Sequence, residues 1–368
     1  MPSAYATKLA EGFSAKLIKH EYEYAPIEEM VNRDYAGDIN EVGSKLNILN
    51  LAKLTEKTYA GSAMTADALY ETNTQLTIDQ YKSFYWQEKT LAKWLSYIKS
   101  PKSTVVEQTA NERKKNVMTF LLGFWSDVAS GQWYGTSYTT GTVEIAATTG
   151  VVTGTSTVFT AAMVGKPFKA TGHSVWYRVK ARNSNTEIVI ENDSDDETSA
   201  YSGGAIAAGT AYEIQANTAK TIDNGGSNPS FLTMVLTLKQ YLDEAEVPDE
   251  NRCLFIPPSA VTTLMKDTGI KLSVPAAYQE LVKQGLLTEL QGFKVIVSNR
   301  VAGDNTNGFH IIACQKNFLT FADKVLQARM EEDIPGDFGT AYKDLYVYGA
   351  KVADARRKYA AHAFVKFA

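Results

Sequence analysis

The stretch from residue 253 to 368 constrains this chain most. A short apolar strand, a loop-rich middle and two long alternating runs follow one another with almost no residues of catalytic type. The strand is Cys253-Leu254-Phe255-Ile256, stopped by Pro257-Pro258. Upstream, Phe231 to Glu246 carries Leu232, Val235, Leu236, Leu238 and Leu242 near helical spacing and leaves through the turn Val247-Pro248-Asp249-Glu250. Downstream, Gly292 to Asn299 and Phe309 to Cys314 are strand-like and, joined by the polar turn Gly303 to Gly308, read as a hairpin-like pair. Ala328 to Glu332 and Tyr342 to Ala353 flank an interruption at Ile334 to Gly339, and Ala361 to Phe367 follows.

This order of elements resembles the major capsid proteins of tailed bacteriophages, the Hong Kong 97 type. The matching phrases are VPDENRCLFIPPSAVTTLM, GFKVIVSNRV and FGTAYKDLYVYGAKV, with looser similarity in AGDINEVGSKLNILNLAKLTEKTYA and TQLTIDQYKSFYWQEKT. The resemblance implies an α+β fold with an N-terminal arm (1–36), an extended hairpin loop (37–90), peripheral-domain helices (91–134), a spine helix (217–252), an axial domain (253–326), and peripheral-domain strands returning to the axial domain (327–368). Residues 135–216 are left over as an inserted all-β domain.

Within the expected arm, Leu9, Phe13 and Leu17 recur every four residues among charges, one stripe of an amphipathic helix. It reads either as a docked terminal helix or as an arm laid on a neighbouring subunit. Between Ile39 and Glu88, alternation at Leu76, Ile78, Tyr81, Phe84 and Trp86 around a small polar tip at Gly61 to Thr65 suggests a long hairpin, which needs a partner surface because a hairpin has no core of its own. Lys53 and Lys57 lie on it. Some family members crosslink such a lysine, but a solvated side chain is the reading here. Thr90 to Ile98 and Glu112 to Val128 read as helices separated by Pro101.

From Gly135 to about Ala216 the composition turns to Thr, Gly, Ser and Val. Strand candidates lie at 142–145, 150–153, 157–159, 175–179 and 186–190, at the spacing of a small antiparallel domain whose ends, near Trp133 and Ile214, lie close together. The phrases TGTSTVFTAAMVGKPF, WYRVKARNSNTEIVI and YSGGAIAAGTAYEI resemble small β modules of phage structural proteins. Trp176, Tyr177 and Tyr201 are its candidate contact aromatics, with core packing as the alternative. The acidic turn Asp193 to Glu197 lacks the Gly bend of a calcium loop and reads as solvated.

The 368 residues carry a net charge of -4, too little positive charge to grip nucleic acid tightly, so only weak non-specific contact with packaged DNA is expected. Cys253 and Cys314 both fall in apolar strands and read as reduced. No apolar stretch suggests a signal peptide or membrane span, and no membrane partner is expected. The four histidines, His20, His173, His310 and His362, stand in unrelated segments, and no nucleophile elbow, phosphate loop or metal motif occurs. No enzyme, cofactor or metal is expected.

The function implied is a major capsid protein that self-assembles, as hexamers and pentamers, into an icosahedral head shell. It is assembled in the host cytoplasm and located in the virion. Expected partners are other copies of the chain, a portal, a separate scaffolding protein and decoration proteins. Candidate subunit contacts are Leu9, Phe13, Leu17, Tyr59, Trp86, Phe338, Tyr342 and Tyr346. The alternatives are the shell of a cellular nanocompartment and a β-rich tail or adhesin component.

Overall fold

The computed structural model describes residues 27–34, 45–51, 56, 71–90, 101–147, 149–193, 200–223, 227–266, 289–334 and 337–368. Three bodies result among the described residues: a central sheet of eight strands, six of them along its main path, a long ribbon, and an eight-stranded β domain.

In the central sheet the strand order is Lys220–Ile222, Ala360–Phe367, Gly308–Gln315, Arg252–Ile256, Phe293–Val297, Glu289–Leu290. Every residue of Arg252–Ile256 is buried, as a strand covered on both faces requires. The helix Phe231–Glu244 lies against this sheet's core with Phe231, Met234, Val235, Leu238 and Leu242 buried. Ser230 caps it by accepting from the Thr233 amide at 3.2 Å. Its exit is pinned by the buried Arg252, which donates to Asp243 at 2.6 Å and to the carbonyls of Val247 and Pro248.

Three expectations change here. The strands at 293–297 and 308–315 are not paired: Arg252–Ile256 lies between them, parallel to the first and antiparallel to the second. An apolar strand buried on both faces has two ladder edges to satisfy, and these strands satisfy one each. The helix expected from Glu112 to Val128 begins earlier, at Pro101, a first-turn position where the missing N–H costs nothing, and runs to Leu122; a 3-10 turn, Gly123–Asp127, follows, and residues 91–98 of the other expected helix lie outside the described residues. Lastly, the helix expected as the spine, in 217–252, packs on the central sheet, whereas the helix that reaches from the main core to the ribbon is Pro101–Leu122, with Val117, Met118, Leu121 and Leu122 in the core and Arg113 bonded to the ribbon.

The ribbon pairs Leu319–Ile334 with Asp337–Lys351. Sixteen residues of strand extend ~50 Å, beyond what one domain's core can cover. Gln80–Lys89 adds on the outer side, and Val31–Asn32 pairs with the first two residues at the base. The hairpin expected over 37–90 is shorter: Lys45–Leu51 pairs with Glu71–Thr77, while Tyr81, Phe84 and Trp86 belong to the ribbon. Ile48, Leu76 and Ile78 bury the base of the hairpin against Ala322 and Val347.

The β domain spans 136–218 in the order Ile206–Thr210, Thr142–Ile145, Val151–Thr155, Glu187–Asn192, Tyr177–Arg182, Pro167–Ala170, Tyr212–Thr218, Thr136–Tyr138. Its core is separate and includes Phe159, Phe168, Ile188, Tyr212 and Ile214. Its two ends meet, since Tyr138 pairs with Ile214. Thr157 to Phe159 is not a strand; Phe159 is a buried plug whose amide donates to the Asn185 carbonyl at 2.7 Å.

Candidate functional site: a subunit interface

Exposed apolar surface gathers on the ribbon. Register aligns Met330, Tyr342 and Trp86 across three strands, and the Trp86 and Tyr342 rings stack with centroids 4.2 Å apart and planes 12° from parallel. Together with Phe84, Thr109, Ala110 and Arg113 these residues line a groove of about 340 Å³ between the ribbon and the long helix. Beyond the row, next to the interruption at 335–336, Phe338 is 87 % exposed. On the opposite face of Gln80–Lys89, Tyr81 and Tyr85 alternate outward, Tyr85 at 60 % exposure. Among the described residues this strand is the outermost of its sheet.

Charges organise the groove. Arg113 donates to Asp344 at 2.7 Å while its guanidinium lies 4.6 Å from the Tyr346 ring and 5.3 Å from that of Phe84. Arg329 and Lys343 also line it, so its rim is basic.

The expected contact residues fare differently. Phe338, Trp86 and Tyr342 stand at the surface of the ribbon. Tyr346 does not: it is buried, donates its hydroxyl to Asp323 at 2.8 Å, and has its acidity suppressed by burial and by the Asp323 carboxylate. Tyr177 and Tyr201 are likewise buried: alternation along Tyr177–Arg182 turns Tyr177 into the β-domain core, and Tyr201, outside any strand, packs beside it and donates to the Gly204 carbonyl at 2.7 Å. Trp176 is half-buried beneath Lys169 and against Gly131, whose φ of +94° and missing side chain admit the indole. Leu9, Phe13, Leu17 and Tyr59 lie outside the described residues, as do Lys53 and Lys57. On the β domain, Val158, Val164 and Val175 are exposed apolar side chains.

Asp193, expected in a solvated turn, is instead the knot between the β domain and the rest. Its carboxylate accepts from Arg178 at 2.9 Å, from Arg357, and from the Ser130 amide at 2.8 Å. Burial opposes its ionisation, yet Arg178, Arg357 and Ser130 together hold it below the usual carboxylate range. Arg178 also donates to the carbonyls of Ser126, Gly165 and Val128. Arg178 lies 15, Ser130 63 and Arg357 164 positions from Asp193, so the site exists only once the chain is folded.

Cys253 and Cys314 face each other in register and are free thiols. Among the described residues no group of three or more His, Cys, Asp or Glu is placed to hold a metal, and no helix is long and apolar enough to cross a membrane. The chemistry available among the described residues is that of surfaces: apolar rows and a basic rim.

Comparison with known proteins agrees. The family described as "Phage capsid protein" matches residues 181–361. Among solved structures, a chain from Mycobacterium phage Che8 is similar with a TM-score of 0.59 at 15% identity over 96% of each chain. A capsid structure of the cyanophage P-SCSP1u gives 0.55 at 12% identity over 97% of this chain and 93% of that one, and the mature capsid of bacteriophage PhiM1 gives 0.52 at 10% identity over 97% and 91%. No curated protein matches by sequence. Residues 181–361 thus carry the match to phage capsid proteins, and the fold along nearly the whole chain is the one these phage structures share.

Proposed function

We propose that the chain is a shell subunit whose copies join into the hexamers and pentamers of an icosahedral head by burying the exposed part of the ribbon against one another, with Phe338, Trp86 and Tyr342 as contacts. Phe338 carries this reading: a phenylalanine 87 % exposed on a ribbon longer than its own core is stable in water at a cost that a sister copy removes. Residues 1–36 then act as an arm and 37–77 as a loop reaching neighbours, with Leu9, Phe13, Leu17 and Tyr59 as further contacts. The long helix Pro101–Leu122 takes the spine role, and the β domain is an insertion.

The role is structural and its place is the virion. Assembly in the host cytoplasm, a portal at one vertex, a separate scaffolding protein and decoration proteins complete the reading. With a net charge of -4, the shell encloses DNA while touching it weakly.

Sedimentation velocity and negative-stain microscopy of the full chain, alone and with its scaffold, test this. Curved sheets or closed shells are expected, and Phe338→Asp should leave capsomers or monomers. A wild-type chain that stays monomeric at every concentration and salt condition overturns it.

A further inference from the structure

We propose that the buried pair His310 and His362 is an acid-sensitive switch in the central sheet beneath the β domain: while neutral it lets that domain's Lys166 and Arg178 dock there, and once protonated it repels them. The two imidazoles sit on adjacent antiparallel strands with His310 Nδ1 and His362 Nε2 3.0 Å apart. His310 is stacked between Trp125, 3.7 Å away, and Phe364, 4.4 Å away. His362 is fully buried against Trp125 and Trp133. One proton serves the contact. Donation from His362 Nε2–H leaves its Nδ1, which has no partner, as a bare acceptor, a smaller cost than an orphaned N–H.

The β domain delivers cations to this spot. Lys166 lies 5.4 Å from the Phe364 ring, with its ammonium given to the carbonyls of Ala216 at 2.9 Å and Asn217 at 2.7 Å, where the domain rejoins the sheet. Arg178 lies 5.5 Å from the Trp133 ring. Further out stand Arg357 on the C-terminal 3-10 turn and Asp127 after the long helix. Asp193 is already engaged by Arg178 and Arg357. No carboxylate is bonded to either imidazole among the described residues, so a second proton on the pair would meet only like charge.

The sign follows. Burial, then Lys166, lowers His310 from 6.5 to about 4, and burial, His310, Lys166 and Arg178 lower His362 further. A histidine depressed in the closed state favours closure fully above pH 6.5 and loses that contribution as pH falls toward 4. Asp193, held below 3.8, titrates outside this window.

Hydrogen–deuterium exchange of the full chain, corrected for the intrinsic pH dependence, reads the switch. Between pH 7 and about 4.5, exchange at Trp133, Tyr134, Ala216 and His362 to Val365 should rise about tenfold or more while Arg252–Ile256 stays protected. The double variant His310→Phe, His362→Phe should lose this rise. Asp193→Asn, which leaves Arg178 uncompensated and so depresses His362 further, should make the rise larger toward low pH. Unchanged junction exchange in the wild type, simultaneous loss of protection at Arg252–Ile256, or the same rise in a folded double variant would each overturn the proposal.

Discussion

Arg113 on the long helix donates to Asp344 on the ribbon at 2.7 Å, joining residues 231 positions apart. Asp344 also accepts from the Phe84 amide at 3.1 Å, so one carboxylate ties the helix to two strands. The groove beside it keeps its shape because of this bond. Asp344→Ala strands a guanidinium that is mostly buried between two rings. It should cost about 2 kcal/mol in chemical denaturation, and Asp344→Asn less.

At Phe338 the opposite balance is expected. Its side chain touches little of its own subunit, so Phe338→Asp should change subunit stability by no more than about 0.5 kcal/mol. Assembly, followed by light scattering, should be abolished or slowed severely. Loss of subunit stability on the same scale as a core mutation would mean the side chain packs at home.

Leu238 contrasts with both. It is fully buried where the helix Phe231–Glu244 meets the main core, so Leu238→Ala should cost about 3 kcal/mol through lost burial and a cavity. Urea denaturation of the unassembled subunit measures it. The exposed neighbour Leu236→Ala, by comparison, should be nearly silent.

The thiols should resist modification. Burial and the nearby Glu29 push Cys253 up to about 11, and burial raises Cys314 well above its ordinary value. A thiol reagent at pH 8 should label neither in the folded chain and both in guanidinium. Rapid labelling of folded protein would contradict the packing described.

Asp193 sets a second acid limit. Its carboxylate is held below its ordinary 3.8, so the stability it contributes is present above that pH and is lost as pH falls through the lower folded value. Asp193→Ala leaves Arg178 and Arg357 buried together and should cost about 3 kcal/mol, with the wild-type and mutant stabilities converging in strong acid. Thermal unfolding across pH 3 to 7 measures both.

Much of the architecture was legible in the chain. The strand around Cys253, the helix from Phe231, the long alternating pair around 335–336 and the strands at 142–145 and 187–190 all follow from period and punctuation. Burial was less legible. Alternation alone does not say which face is covered: Phe338 stands exposed, Trp86 and Tyr342 are half-buried, and Tyr346, Tyr177 and Tyr201 turned inward. The start of the long helix at Pro101 was missed, because a proline inside a helix breaks it whereas at the first position it starts one.

By itself the sequence determined the kinds of elements, their order and the absence of a local catalytic motif, because propensity and periodicity act over a few residues. Tertiary structure decided the partners. It sent Gln80–Lys89 to the ribbon and away from the hairpin, inserted Arg252–Ile256 between two strands that looked paired, and brought Asp193 to two arginines and His310 to His362. Period two tells each side chain which face it shares but not which strand lies beside it. That choice is made by burying both faces and pairing every backbone group at once.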